Sequence, residues 1–189
     1  MSKKKTVLIL TASLVITIKV LAQANNPAAQ NYTNGKNNAA LFGINIPVGE
    51  FSKTHYAGIS TGYTWSHHRF GNLQALPKKI IGFTAEGSFD YYFGKKETIA
   101  GYDYRYGGYI YLHAFGGAIY NPCKRGNISL TTGPTLGIYK GSVDAGYGAK
   151  LGGSYPVTDK IEIVTGIFFL KHNDAAVLLA VSVQIGYCF

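Results

Sequence analysis

The residues able to do chemistry are few and scattered. Gly58-Ile59-Ser60-Thr61-Gly62 fits the G-x-S-x-G pattern of a serine nucleophile, which needs a sharp strand-to-helix turn. Here it sits inside an alternating strand with no helical pattern behind it, so Ser60 is read as a strand residue. His55, His67 and His68 offer imidazoles, but they fall in a loop and a turn, with no Cys or acid at ligand spacing. Gly146 to Gly152 is glycine-rich without the spacing of a phosphate loop or a helix to follow it. His113, Ser129, Glu86 and Asp144 share no local motif. These residues assign no catalytic site, no metal and no cofactor, and the chain is read as a non-enzyme.

The charged residues Glu86, Asp90, Asp144 and Lys150 instead occupy alternate positions of two strongly patterned strands. Ile80–Phe93 sets Ile81, Phe83, Ala85, Phe89, Tyr91 and Phe93 against Gly82, Thr84, Glu86, Ser88 and Asp90. Val143–Tyr155 sets Val143, Ala145, Tyr147, Ala149, Leu151 and Tyr155 against Asp144, Gly146, Gly148, Lys150 and Ser154. Such period-2 patterning gives a strand one apolar and one polar face. It recurs in Leu41–Val48, Tyr56–Ser66 and Ile128–Tyr139, while Tyr104–Tyr120 is rich in Tyr and Gly with faces hard to tell apart and Ile161–Leu170 is apolar on both faces. The last stretch, AVLLAVSVQIGYCF, places Val183, Ile185, Tyr187 and Phe189 opposite Ser182, Gln184 and Gly186.

Eight such segments, of a length that crosses a bilayer as tilted strands, predict an all-β fold. The expected architecture is an eight-stranded antiparallel up-and-down transmembrane β-barrel. Glycine supports it: 24 residues, about 13% against an average near 7%, argue against helices. Aromatics crowd the strand ends (Tyr63 and Trp65, Tyr91 to Phe93, Tyr187 and Phe189), where a bilayer meets water. The small polar faces then line a narrow interior with Glu86, Asp90, Asp144, Lys150 and Gln184. These charges are expected to form an interior ion-pair set or to face the anionic outer leaflet. A soluble secreted β-sandwich or barrel that binds a ligand is the alternative fold.

The chain opens MSKKKTVLILTASLVITIKVLAQ, a basic stretch before a short apolar run, which reads as a secretory signal over residues 1–22. Cleavage falls after Ala22, with Ala24 as a second option. Residues 23–38 form a polar, Asn-rich linker and 39–189 the barrel. The signal carries four of the 18 Lys+Arg and no acid, so the charge left behind falls from +9 to +5. That modest balance points to an anionic membrane surface rather than nucleic acid.

The pieces FGINIPVGEF at Phe42–Phe51, FDYYFG at Phe89–Gly94 and the terminal aromatic carry a resemblance. The chain resembles the small outer-membrane β-barrel proteins common in Bacteroidota, the porin-like outer membrane beta-barrel domain family, over essentially its whole mature length. The resemblance implies an outer-membrane location and assembly by the barrel-insertion machinery, which reads the last strand and its aromatic. Tyr187 and Phe189 match that signal, with Cys188 an unusual residue between them.

Cys123 and Cys188 fall on the periplasmic side of this topology, which is oxidising. A disulfide would tie a turn to the closing strand, but the two strands lie across the ring and the Cα atoms must approach within about 7 Å. Disulfide and separate thiols both stand open. The expected surface loops are Gly49–His55, Gly94–Asp103, Lys140–Ser142 and Lys171–Asp174. In the second, Lys95, Lys96 and Arg105 stand among tyrosines and face lipopolysaccharide or a ligand. The function expected is a monomeric structural or surface-interaction protein in contact with outer-membrane lipid. A narrow pore past Glu86, Asp90, Asp144 and Lys150 is the alternative.

Overall fold

A computed structural model describes residues 38–67, 81–123, 126–172 and 177–189. The signal, the linker up to residue 37, His68 and most of the loop after Lys171 lie outside the described residues. Ten strands form. They are β1 (Asn38–Val48), β2 (His55–His67), β3 (Ile81–Gly94), β4 (Lys96–Ile99), β5 (Tyr102–Arg105), β6 (Tyr109–Cys123), β7 (Gly126–Tyr139), β8 (Ser142–Pro156), β9 (Ile161–His172) and β10 (Leu178–Cys188). A single helical turn, α1 (Phe51–Thr54), joins β1 to β2.

Eight of the strands close into an antiparallel barrel in the order β1-β10-β9-β8-β7-β6-β3-β2. Each pairs with its sequence neighbour in the barrel, and β1 meets β10 from Ala39 opposite Cys188 to Val48 opposite Leu179. The hydrophobic last strand therefore has partners on both edges, β9 and β1, and the barrel has no edge to protect. This closed ring excludes the sandwich alternative.

The period-2 pattern fixes which side faces in. Phe42 is 64% exposed, Leu130 62% and Ile185 60%, whereas Lys150 and Gln184 are 1% exposed. A protein folded by hiding its apolar side chains from water shows the reverse. The outside is a wall of Phe, Ile, Leu, Val and Tyr, and the inside holds the buried polar residues together with a cluster of buried rings and aliphatic side chains.

The segment Tyr104–Tyr120 is not one strand. Tyr104 and Arg105 belong to a separate hairpin, β4 with β5, that stands above the rim and pairs Lys96 with Arg105 and Ile99 with Tyr102. Its turn residues Ala100 and Gly101 both have positive φ, 50° and 83°. That is the twist of a type I′ hairpin, and it stops the chain from continuing β3 straight into β6. The glycines of Gly107-Gly108 then return the chain to the barrel at Tyr109.

Candidate functional site

The barrel interior is layered. At the end of the barrel where β1 runs into α1, Phe51 stacks on His55 at 4.3 Å and meets Tyr92 and Tyr109 edge-on at 5.2 and 5.5 Å. His55 locks this lid to the hairpin. Its Nε2 lies 3.2 Å from the Gly107 carbonyl and its Nδ1 2.8 Å from the Thr54 hydroxyl. A carbonyl only accepts, so the proton sits on Nε2 and Thr54 donates to Nδ1. His67 stands at the far end of β2, so the two histidines share no site. Below the lid Tyr92, Tyr111, Phe115, Phe168, Leu170, Leu178 and Ala180 form one buried cluster that fills the bore.

Interleaved with the lower part of this cluster is a charged layer: the register sets Asp90 opposite Tyr111, Glu86 opposite Phe115 and Lys150 opposite Phe168. Lys150 reaches Glu86 with both carboxylate oxygens at 2.5 and 2.7 Å, and its ammonium sits 4.8 Å from the Phe168 ring centre. Gly166 leaves the space its stem crosses: a Cβ there would come 2.8 Å from the Lys150 Cε. His113 sets Nε2 3.2 Å from Glu86 and Nδ1 3.5 Å from Asp90. Asn45 donates to the other Asp90 oxygen at 2.8 Å, and Gln184 donates to Ser60 at 2.8 Å. Buried charges persist only where partners and hydrogen bonds replace water, and Glu86, Asp90 and Lys150 each have them here.

Ser88, His113 and Asp90 superficially form a nucleophile, base and acid. The geometry denies it. Ser88 Oγ lies 3.1 Å from both ring nitrogens, and since their in-plane lone-pair directions diverge, an equidistant hydroxyl lies along neither. Both nitrogens are instead turned to carboxylates.

Beneath the charged layer a polar chamber of about 100 Å³ lies towards the end of the barrel that holds Asn38 and Cys188. Glu86 and Lys150 form its roof, and Thr64, Ser66, Ser129, Ser154 and Glu162 line its walls. Asn127 donates to Ser154 at 2.7 Å.

The structure thus brings Glu86, Asp90 and Lys150 together inside, with Gln184 in a second polar pair. Asp144, expected in the same set, is exposed at the start of β8: its position has the inward parity, but it stands above the ring of aromatics that seals the bore. Cys123 on β6 and Cys188 on β10 are four strands apart in either direction round the ring. That separation weighs against a disulfide, whose Cα atoms must approach within about 7 Å. Cys188 packs instead beside Ala39, Leu41 and Val164. Tyr187 and Phe189 face outward, half exposed, and the Phe189 amide donates to the Asn38 carbonyl at 3.1 Å.

Outside, the hairpin carries the predicted surface cations. Lys95 donates from its side chain to the Ser52 carbonyl and lies over Tyr56 at 5.2 Å, so it serves the lid. Lys96 and Arg105 face each other across β4 and β5. Lys140, in the two-residue turn after β7, donates to the Tyr104 hydroxyl at 2.9 Å. That hydrogen bond and charge draw the Tyr104 phenol below its usual range and raise Lys140 above its own. An ultraviolet titration checks this: the Tyr104→Phe protein is expected to lose its earliest-ionising phenolate, and Lys140→Met to move that component up towards pH 10. Unchanged titration curves would refute the pairing.

Sequence reasoning missed the lid formed by Phe51 and the roles of Asn45 and Ser88. Asn45 was visible as the one amide on the inward face of β1.

No protein-family model matches the chain, and no curated protein sequence does. Solved structures match. The crystal structure of Ail, the attachment invasion locus protein of Yersinia pestis, superposes with a TM-score of 0.52 at 15% identity, over 82% of this chain and 100% of that one. Ail in complex with the heparin analogue sucrose octasulfate gives 0.53 at 13% over the same shares. Its backbone structure in a phospholipid bilayer nanodisc gives 0.51 at 14%, again over 82% and 100%. The likeness is one of fold, a closed eight-stranded antiparallel barrel.

Proposed function

We propose that this chain is a non-catalytic outer-membrane β-barrel of the small Bacteroidota type its motifs resemble, acting as a monomer through contacts at the cell surface. Outer-leaflet lipid and lipopolysaccharide are its nearest partners, and the barrel-assembly machinery reads its last strand. One observation carries the reading: the outward side chains form an exposed apolar wall, while the charged and polar residues Glu86, Asp90, Lys150, Asn45 and Gln184 are turned inside. Burying such a wall in hydrocarbon gains about 25 cal/mol for each Å² removed from water, and closure leaves no backbone edge unpaired in lipid. A pore is disfavoured because buried aromatic side chains occupy the bore from the lid down to the level of Glu86 and Lys150.

The test is gel mobility of the membrane-extracted protein before and after boiling, together with outer-membrane fractionation. A folded barrel resists the detergent and shifts on heating. An unshifted protein in the soluble fraction would overturn the reading.

The outward Tyr187 and Phe189 give a second test. Deleting Phe189 is expected to reduce the assembled form in cells while purified protein still refolds in detergent. Normal assembly in cells would remove the assembly signal from these residues.

A further inference from the structure

A cleft opens on the outer wall where β3 rises past the hairpin. Tyr91 and Phe93, both on the outward face of β3, form its floor, with ring centres 5.1 Å apart and nearly perpendicular. Its upper rim is Arg105 and Tyr106, the backbone of Gly107-Gly108, and Lys140. Tyr91 lies so close against Gly108 that any Cβ there would overlap its hydroxyl. Bare backbone is what lets the two cations and the aromatic floor share one cleft.

Two independent features make this a seat for an anion. The register sets Arg105 directly opposite Lys96, and like charges across a strand pair repel. The nearest acid on that face, Asp103, is held by Thr98 at 2.8 Å, and the Arg105 guanidinium has no hydrogen bond or ion pair among the described residues. The second feature is position. The floor continues the apolar wall through Phe93 and Phe89, 46% and 40% exposed, while the cations sit above it, at the level where a bilayer turns from hydrocarbon to headgroups. A free ion has no use for Phe93; a phosphate attached to an acyl chain meets both parts of the cleft.

We propose that this cleft binds the phosphate of an anionic membrane lipid. The Arg105 guanidinium forks onto two phosphate oxygens, Lys140 adds a point charge, and the acyl chain lies along Tyr91 and Phe93. The proposal rests on the membrane reading and names the lipid group that the surface contacts.

The experiment places the full mature chain in nanodiscs of phosphatidylcholine doped with phosphatidic acid, then reads retained lipid by native mass spectrometry. The protein is expected to retain phosphatidic acid over phosphatidylcholine by about tenfold, the ratio given by 1.4 kcal/mol. Arg105→Gln and the double variant Arg105→Gln/Lys140→Gln are expected to lose that preference. Lys53→Gln, whose cation is already tied to Glu50 at 2.7 Å, is expected to keep it. Retention unchanged in the two Arg105 variants, with their heat shift intact, would overturn the proposal. Full displacement by inorganic phosphate would overturn it too, since a free ion would then be the occupant. A chain that never enters the nanodisc fails differently: it overturns the membrane reading itself.

Discussion

Replacing Lys150 by Met is expected to cost the folded barrel roughly 3–5 kcal/mol, the usual penalty for stranding one half of a buried ion pair. Glu86 would keep only its contact with His113 at 3.2 Å, and Asp90 would still compete for that imidazole from the other nitrogen. Urea unfolding in lipid vesicles reads the loss. The double variant Glu86→Gln/Lys150→Met is expected to recover most of it, because a neutral amide and an apolar stem remove both halves of the pair together. The chamber below decides the scale. If its water already hydrates Glu86, the single variant falls by only about 1 kcal/mol, the size of an exposed pair. A loss that small would show that the pair is an aqueous one, and that the plug alone carries the fold.

The second large effect lies at the seam where the barrel closes. Gly43 stands opposite Gln184, between β1 and β10. A Cβ built there would come 2.5 Å from the Gln184 Cα and would overlap the Val183 carbonyl. Backbone cannot move aside as a side chain can, so Gly43→Ala is expected to cost at least the roughly 1–3 kcal/mol of an overpacked core and to weaken or abolish the heat-shifted band. Gly87→Ala is the control. It faces outward with its nearest obstacle, the His113 carbonyl, 3.9 Å away, and it should be neutral or gain the roughly 0.5–1 kcal/mol by which Ala exceeds Gly in a strand. Equal losses at both positions would mean that strand flexibility, not closeness at the seam, sets the cost.

The barrel was legible because a two-residue period leaves little choice. Once Phe42, Ile44 and Ile46 face one way, Gly43 and Asn45 face the other, and a one-residue slip would reverse every side chain. The same parity put Glu86, Asp90 and Lys150 inside. Parity says nothing of height, however, and Asp144 shows it: its inward position lies at the start of β8, beyond the layers that could enclose it. Composition hid the hairpin. Tyr and Gly run on from Tyr102 to Gly108, so the positive φ at Ala100 and Gly101 had no neighbouring contrast to mark it. Pairings across the ring were beyond reach. Asn45 meets Asp90, and Gln184 meets Ser60 from 124 positions away, through closure that no local spacing records. Cys123 and Cys188 were the reverse case, where counting strands round the ring was enough to weigh against a bond.

The bore's two halves differ in what they hold. The lower chamber is lined largely by hydroxyls, amides and carboxylates, while the section of β3 from Glu86 to Tyr92, about 20 Å of strand at the usual rise, faces a bore in which charged side chains and buried rings alternate. Set in a bilayer, as proposed above, such a barrel would be a capacitor with one plate drawn inward: a transmembrane voltage would fall mainly across the stretch around His113 and Phe168, and little of it along the chamber.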